Sequence, residues 1–252
     1  MARKPRYDMA GYHHVINRGV NKSDIFEEDI DKDTFLNILC KACRDYNVII
    51  HDYCLMSNHY HILVETKYDN LSLFMRQINS NYAIYFNKKY NRSGHLWQGR
   101  YKSWYVIDEN YLYTLFKYIE HNPIKAKICS KVGEYKYTLL SSIVNKMPVI
   151  KCAKNSKLLN DIKFQGIQEH LNVSLSDEEL DKIKLIQKQE VVKEGKNYNY
   201  KKKKELSTYF KNQARDKAIL KALDDGYKQS QIAKYLNLTP TAISKIKKKY
   251  RD

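Results

Sequence analysis

Two histidines one residue apart interrupt an apolar, β-prone run in CLMSNHYHILVE, residues 54–65. On a strand, residues i and i+2 project from the same face, so His59 and His61 present two imidazoles together, while Tyr60 and Ile62 point the other way. Neutral imidazole is the commonest side-chain metal ligand, and a pair on one face can hold one divalent ion. Two ligands leave coordination positions open, which suits an ion that must also take substrate oxygens. The pattern alone is weak, because two histidines hydrogen-bonded to each other would read the same.

A second group lies in KYIEHNP, residues 117–123. On a helix, Tyr118 and Asn122 share one face about 6 Å apart. An amide oxygen can ligate a hard metal, and a phenol beside it can attack a phosphate that the metal has polarised. The chain holds 22 tyrosines, so most have other work. Tyr82 and Tyr85 are the rivals as nucleophile, but no amide or acid follows either of them four residues on; packing or stacking on unpaired bases is their expected role.

The elements that must position these groups follow from periodicity. YHHVINRG (12–19) reads as a strand, and 29–46 as an amphipathic helix with Phe35, Leu36, Leu39, Ala42 and Cys43 at helical spacing. Residues 47–56 and 59–65 are two β-rich runs separated by Ser57-Asn58, a hairpin signal. A helix over 70–90, a strand over 101–107 and a helix over 108–123 closed by Pro123 complete the order β, α, β, β, α, β, α. That order predicts an α+β fold, a ferredoxin-like antiparallel sheet with helices on one side.

Beyond residue 130 the pattern loosens. Residues 176–190 open with a capping box, Ser176 to Glu179, and read as an exposed connecting helix; 195–204 is a linker with four consecutive lysines. The last segment has the form of a helix-turn-helix: Ile232, Ala233 and Leu236 on one helix, a turn at Asn237-Leu238, then Thr239 as N-cap and Pro240 at the first helical position. Ile243 and Ile246 would face its core, and Thr241, Ser244, Lys245 and Lys248 a DNA groove. The expected organisation is an α+β domain over 1–130, a helical connector and basic linker over 131–204 and a small all-α domain over 205–252.

Charge points to the partner. The 252 residues carry 45 Lys and Arg against 28 Asp and Glu, a net +17, and residues 196–252 hold +11 of it. Such a balance fits a polyanion, nucleic acid first. No uncharged run approaches the roughly 18 residues of a spanning helix, and no apolar signal core follows MARKPRYD, so the expectation is a cytoplasmic protein with no membrane partner. The five cysteines lack the dense pairing of a secreted scaffold, so reduced thiols are expected, with the Cys40/Cys43 pair serving packing.

YHHVINRGVNKSDIF, CLMSNHYHILVE, RSGHLWQGRYKSWYV and YIEHNPIKA, in this order and spacing, resemble the single-tyrosine HUH transposases, and within them the REP-associated tyrosine transposase branch, over about residues 5–130. The resemblance implies that His59 and His61 bind Mg²⁺ or Mn²⁺, that Asn122 completes the metal site and that Tyr118 is the nucleophile. It implies cleavage and rejoining of single-stranded DNA at hairpin-associated sites through a 5′-phosphotyrosine. It also implies a homodimer as one arrangement, since the tyrosine helix of dimeric relatives can serve the partner's metal site. Two departures stand out: the residue between the histidines is Tyr60 rather than an aliphatic, and Asn122 stands where insertion-sequence members often carry Gln, one methylene longer. Arg18, Arg100 and Lys102 flank the site as backbone contacts, Trp97 either stacks on a base or fills the core, and His13 and His14 take structural or phosphate-contact roles. The competing readings are a sequence-specific DNA-binding regulator with a catalytically silent first domain, and a zinc hydrolase built on the histidine pair.

Overall fold

GYHHVINR and HYHILVET are β-prone runs buried over consecutive residues and so on both faces, and the two pair antiparallel along their full length as β1 (Gly11–Arg18) and β3 (His59–Thr66). β2 (Val48–Leu55) and β4 (Lys102–Val106) extend the sheet on either side, giving the antiparallel order β2-β3-β1-β4. This computed structural model describes residues 8–251 except 109, 166–170, 172, 188, 190, 195–196, 201–203, 212–213 and 226. The chain divides into two units between Asn199 and Tyr200.

In the first unit the sheet has the expected ferredoxin-like order. Helices α1 (Asp29–Tyr46) and α2 (Leu71–Lys89) cover the face that carries Tyr60. There Phe35 lies 4.8 Å from the Tyr60 ring and 5.2 Å from Tyr82, and Tyr60 donates to Asn79 Oδ1 at 2.8 Å. The start of α1 is held by Asp31, a fully buried carboxylate that accepts from the Glu27 and Glu28 amides, from Lys89 and from the hydroxyls of Tyr85 and Tyr90. Burial alone would raise its pKa; these donors outweigh it and hold it at about 2.

The third helix, α3 (Asn110–Glu120), lies against the opposite face, where Tyr118 meets the rings of His14 and His61; the helices therefore cover both sides of the sheet and not one side as expected, because β3 is buried on both of its faces. It ends before Pro123, which sits in the first turn of a separate short helix, α4 (Asn122–Lys125). The expectation of one helix closed by Pro123 is thereby corrected: proline lacks the N–H an interior turn needs but suits a first turn, so the chain breaks and restarts. α5 (Leu139–Val144) and α6 (Lys157–Gln165) follow.

Ser176 and Glu179 form the expected capping box at the start of α7 (Asp177–Ile186). The helix is not a free connector: Ile183 and Ile186 are buried, Lys117 pairs with Glu179 at 3.3 Å, and Trp104 Nε1 donates to the Gln187 carbonyl at 2.9 Å. The expectation of five reduced cysteines is also corrected. Cys40 of α1 is bonded to Cys152 across 112 residues, while Cys43, Cys54 and Cys129 are free; a pairing that distant leaves no local signature. A short ribbon, β5 (Val191–Glu194) and β6 (Asn197–Tyr200), leads onward.

The second unit contains α8 (Leu206–Phe210), α9 (Arg215–Asp224), α10 (Gln229–Leu236) and α11 (Pro240–Arg251) around a core of Tyr209, Ala218, Ile219, Ala222, Ile232, Ala233 and Ile243. Asn237 takes the left-handed conformation that ends α10, and Thr239 Oγ1 accepts from the Ala242 amide at 3.3 Å to cap α11. Thr241, Ser244, Lys245 and Lys248 are all exposed on α11.

Candidate active site

The turn between β2 and β3 is pinned by backbone. Gly19, Ile25 and Phe26 donate their N–H groups to the carbonyls of Asn58 and Ser57 at 2.8–3.0 Å. Gly19 must be glycine for this approach, since a Cβ there would lie 2.2 Å from the Ser23 carbonyl oxygen. The turn delivers His59 at the first position of β3, with His61 two residues on and Tyr60 facing the α1/α2 core.

The two imidazoles are oriented from behind. His59 Nδ1 lies 2.6 Å from Asn58 Oδ1, an acceptor whose amide NH₂ is turned toward the Lys22 carbonyl. Nδ1 therefore carries the proton and Nε2 is left as a bare lone pair. His61 Nδ1 lies 3.1 Å from His14 Nε2, with the rings stacked at 5.3 Å; donation from His61 to His14 frees His61 Nε2 in the same way. Burial and, secondarily, the Arg18 charge lower the pKa of His59. Burial, then His14, His59 and Lys125, push His61 well below its ordinary value, and burial alone takes His14 to about 3. All three are neutral imidazoles at pH 7, the form that ligates metals.

Tyr118, half-buried on α3, turns its ring toward this pair. Its centroid is 5.8 Å from His61 and 6.0 Å from His14, both edge-on, and Lys125 Nζ sits 4.5 Å from the same ring. Burial raises the phenol's pKa. The ring borders a cleft of about 670 Å³ shared with His59, the cations Arg18, Lys22, Arg100 and Lys102, and Gln187, and among the described residues no carboxylate lines it. The rivals are spoken for: Tyr82 is fully buried and donates to the Ile25 carbonyl, and Tyr85 donates to Asp31.

Asn122 is placed differently. Its NH₂ donates to the carbonyls of Tyr118 at 2.8 Å and Ile119 at 3.2 Å, oxygens left without helical donors where α3 ends. It is outside the residues that line the cleft, and its Oδ1 is the amide atom these bonds leave open. Among the described residues no three His, Cys, Asp or Glu side chains converge as a metal cluster. The donor set nevertheless fits a catalytic divalent ion: two bare Nε2 atoms whose partner nitrogens are held by second contacts, beside a cation-lined space for phosphate.

A family comparison addresses what such a cleft is for. Residues 9–122 match the family model described as "Transposase IS200 like". This segment is an IS200-like transposase domain. Among solved structures, the chain is similar to the REP-associated tyrosine transposase bound to a REP hairpin (18 % identity, TM-score 0.49, covering 62 % of this chain and 93 % of that one). It is also similar to a candidate transposase from Deinococcus radiodurans R1 (16 % identity, TM-score 0.34, covering 48 % and 97 %). No curated protein matches.

Within the transposase domain, then, the sheet and α3 bring His59, His61 and Tyr118 together and line the same cleft with Arg18, Arg100 and Lys102. Arg18 Nε donates to Gln98 Oε1. Trp97 sits to one side: its N–H is taken by the Asn79 carbonyl at 2.9 Å and its ring packs edge-on against Tyr60. Thr241, Ser244, Lys245 and Lys248 belong to the second unit. Sequence reasoning left His14 between structural and phosphate-contact roles and missed Lys125 and Gln187. The register of β1 against β3, which pairs Ile16 with His61, is the signal that would have found His14.

It also missed Glu120. The side chain is buried beside Asp52, and its Oε1 accepts from the Leu140 amide at 2.8 Å. Burial raises Glu120 to about 7 and Asp52 well above the usual carboxylate range, with the Glu120 charge adding to the rise in Asp52. The pair is therefore held short of full charge, and the bond from Leu140 ties the end of α3, two residues from Tyr118, to the start of α5.

Proposed function

We propose that the transposase domain cuts and rejoins single-stranded DNA at hairpin-associated sites through a 5′-phosphotyrosine on Tyr118. The observation that carries this reading is the Tyr118 ring, packed against His61 and bordering a cleft lined, among the described residues, by four cations and no acid. His59 and His61 would hold Mg²⁺ or Mn²⁺ through Nε2, with Asn122 Oδ1 as the third protein ligand; the ion supplies charge neutralisation at the scissile phosphate. Tyr118 Oη attacks that phosphorus, the 3′-oxygen leaves, and the 5′-phosphoryl group stays on the phenol. A neutral phenol is a poor nucleophile and a phenolate a fair leaving group, so one site serves both directions: a 3′-hydroxyl attacking the phosphotyrosine restores the phosphodiester and returns Tyr118. Arg18, Arg100 and Lys102 hold flanking phosphates. The second unit acts as a helix-turn-helix that docks on DNA through Thr241, Ser244, Lys245 and Lys248, and the protein works in the cytoplasm. Labelled hairpin DNA with single-stranded flanks, incubated with Mg²⁺ and run on a denaturing gel, tests the proposal: a band that retains both protein and label supports it, and free nicked product without that band contradicts it.

A further inference from the structure

A second groove opens beside the cleft. It encloses about 770 Å³, within the roughly 300–1,000 Å³ of small-ligand sites, and runs along α2 under the segment 94–101. Asn17, Gln98, Gly99 and Arg100 line both spaces, so the two are continuous. Two kinds of surface meet in it. One is cationic: Arg76 and Arg100 are exposed, and among the described residues no carboxylate pairs with either. The other is apolar: Leu73 is 45 % exposed on α2, and Ala83 and Trp97 line the same groove. Because the Trp97 N–H is occupied by Asn79, ring surface is what that side chain can offer a ligand.

We infer that this groove seats one unpaired nucleotide of the substrate strand, its base against Leu73 and Trp97 and its phosphate between Arg76 and Arg100. Charge selects a phosphate-bearing ligand, and the apolar wall selects one with a bare ring face. In a duplex both faces of each base are covered by stacking; in a single strand they are free. Continuity with the cleft selects a nucleotide close to the scissile phosphate. The groove is a means of rejecting duplex DNA that the cations of the cleft, which read phosphate alone, do not provide. The inference rests on the single-strand reading above, but it concerns binding and needs no cleavage.

The test uses the full chain and two fluorescent ligands of equal length and charge: an oligothymidylate of about 12 nucleotides, inside the roughly 4–16 that one single-strand site occupies, and the matching abasic strand. The basic tail meets the same phosphates in both. The wild-type protein should prefer the oligothymidylate on the order of tenfold, the equivalent of one stacked base. Leu73→Gln, a change between good helix formers at an exposed position, should collapse that ratio toward one while leaving abasic affinity in place. Arg76→Ala should weaken both ligands alike and reduce the salt slope by about one contact. Matching melting temperatures for the variants show that folding is not the cause. Equal binding of the two strands by the wild type, or variants that move neither ratio nor slope, overturns the inference. A strand preference that depends on Leu73, in a protein that forms no covalent adduct, would leave the groove standing and remove the chemistry assigned to Tyr118.

Discussion

On the face of the sheet that carries His61, a second histidine has better-looking company. His51, the extra residue where the β2–β3 register shifts, lies 3.0 Å from Ser156 Oγ through Nδ1 and 3.0 Å from Glu65 Oε2 through Nε2. Hydroxyl, imidazole and carboxylate in a row are the parts of a hydrolytic triad. Yet Ser156 is 0 % exposed and His51 1 %, and the same Ser156 oxygen accepts from the Leu159 amide to cap the first turn of α6. The cluster of His14, His61 and Tyr118 has looser geometry, with ring contacts of 5.3–6.0 Å, but it borders a cleft and ends in atoms that no protein group uses. What separates a site from a fastening here is the free valence: the hydroxyl and both imidazole nitrogens of the trio are spent inside the protein, whereas among the described residues no group takes Nε2 of His59 or of His61.

The contrast is sharpest in variants. His59→Ala or His61→Ala should reduce DNA cleavage by well over a hundredfold with hairpin binding largely kept, and His14→Ala, which removes only the atom behind His61, by about 10- to 100-fold. A quantitative gel assay at saturating Mg²⁺ measures both, and full activity in the His61 variant would break the comparison. For His13, the neighbour of His14, the effect is on stability. Burial lowers its pKa to about 4, partly opposed by the hydrogen bond to the Met9 carbonyl. The unfolded chain protonates near 6.5 and the folded one does not, so stability is full above the unfolded value and is lost as pH falls, by about 3 kcal/mol at pH 4. Urea titrations at pH 7 and 4 should show that loss, reduced in His13→Gln.

Ser156→Ala should cost roughly 1–2 kcal/mol of unfolding free energy through the lost cap and hydrogen bond, with cleavage unchanged. A proportional loss of activity in a folded variant would make the sealed trio a second site. The smallest effect is expected from the tail: truncation after residue 195 removes +11 of charge and should flatten the salt dependence of DNA binding without abolishing cleavage. An unchanged slope would mean that the tail does not touch DNA.

Much of this was legible beforehand because periodicity reports burial directly. Helix α1 begins and ends at the expected residues, and the 57–58 hairpin, the α7 capping box and the Thr239 cap are local patterns that the fold preserved. Contacts between distant segments were not legible. The Cys40–Cys152 bond, the docking of α7 by Lys117 and Trp104, and the cation over Tyr118 all depend on how elements come together rather than on any one of them. Proline misled for a physical reason: it forbids continuation of a helix, but it also favours the start of a new one, and Pro123 does the second.

The central claim is that Tyr118 becomes joined to DNA. The adduct trapped on labelled single-stranded hairpin DNA can be digested with protease and nuclease and its peptides read by mass spectrometry. The account predicts a nucleotide mass on the peptide containing Tyr118, no adduct from a folded Tyr118→Phe protein that still binds DNA, and normal adduct from Tyr82→Phe and Tyr85→Phe. A nucleotide mass on a peptide lacking Tyr118, or an adduct that persists in Tyr118→Phe, would contradict it.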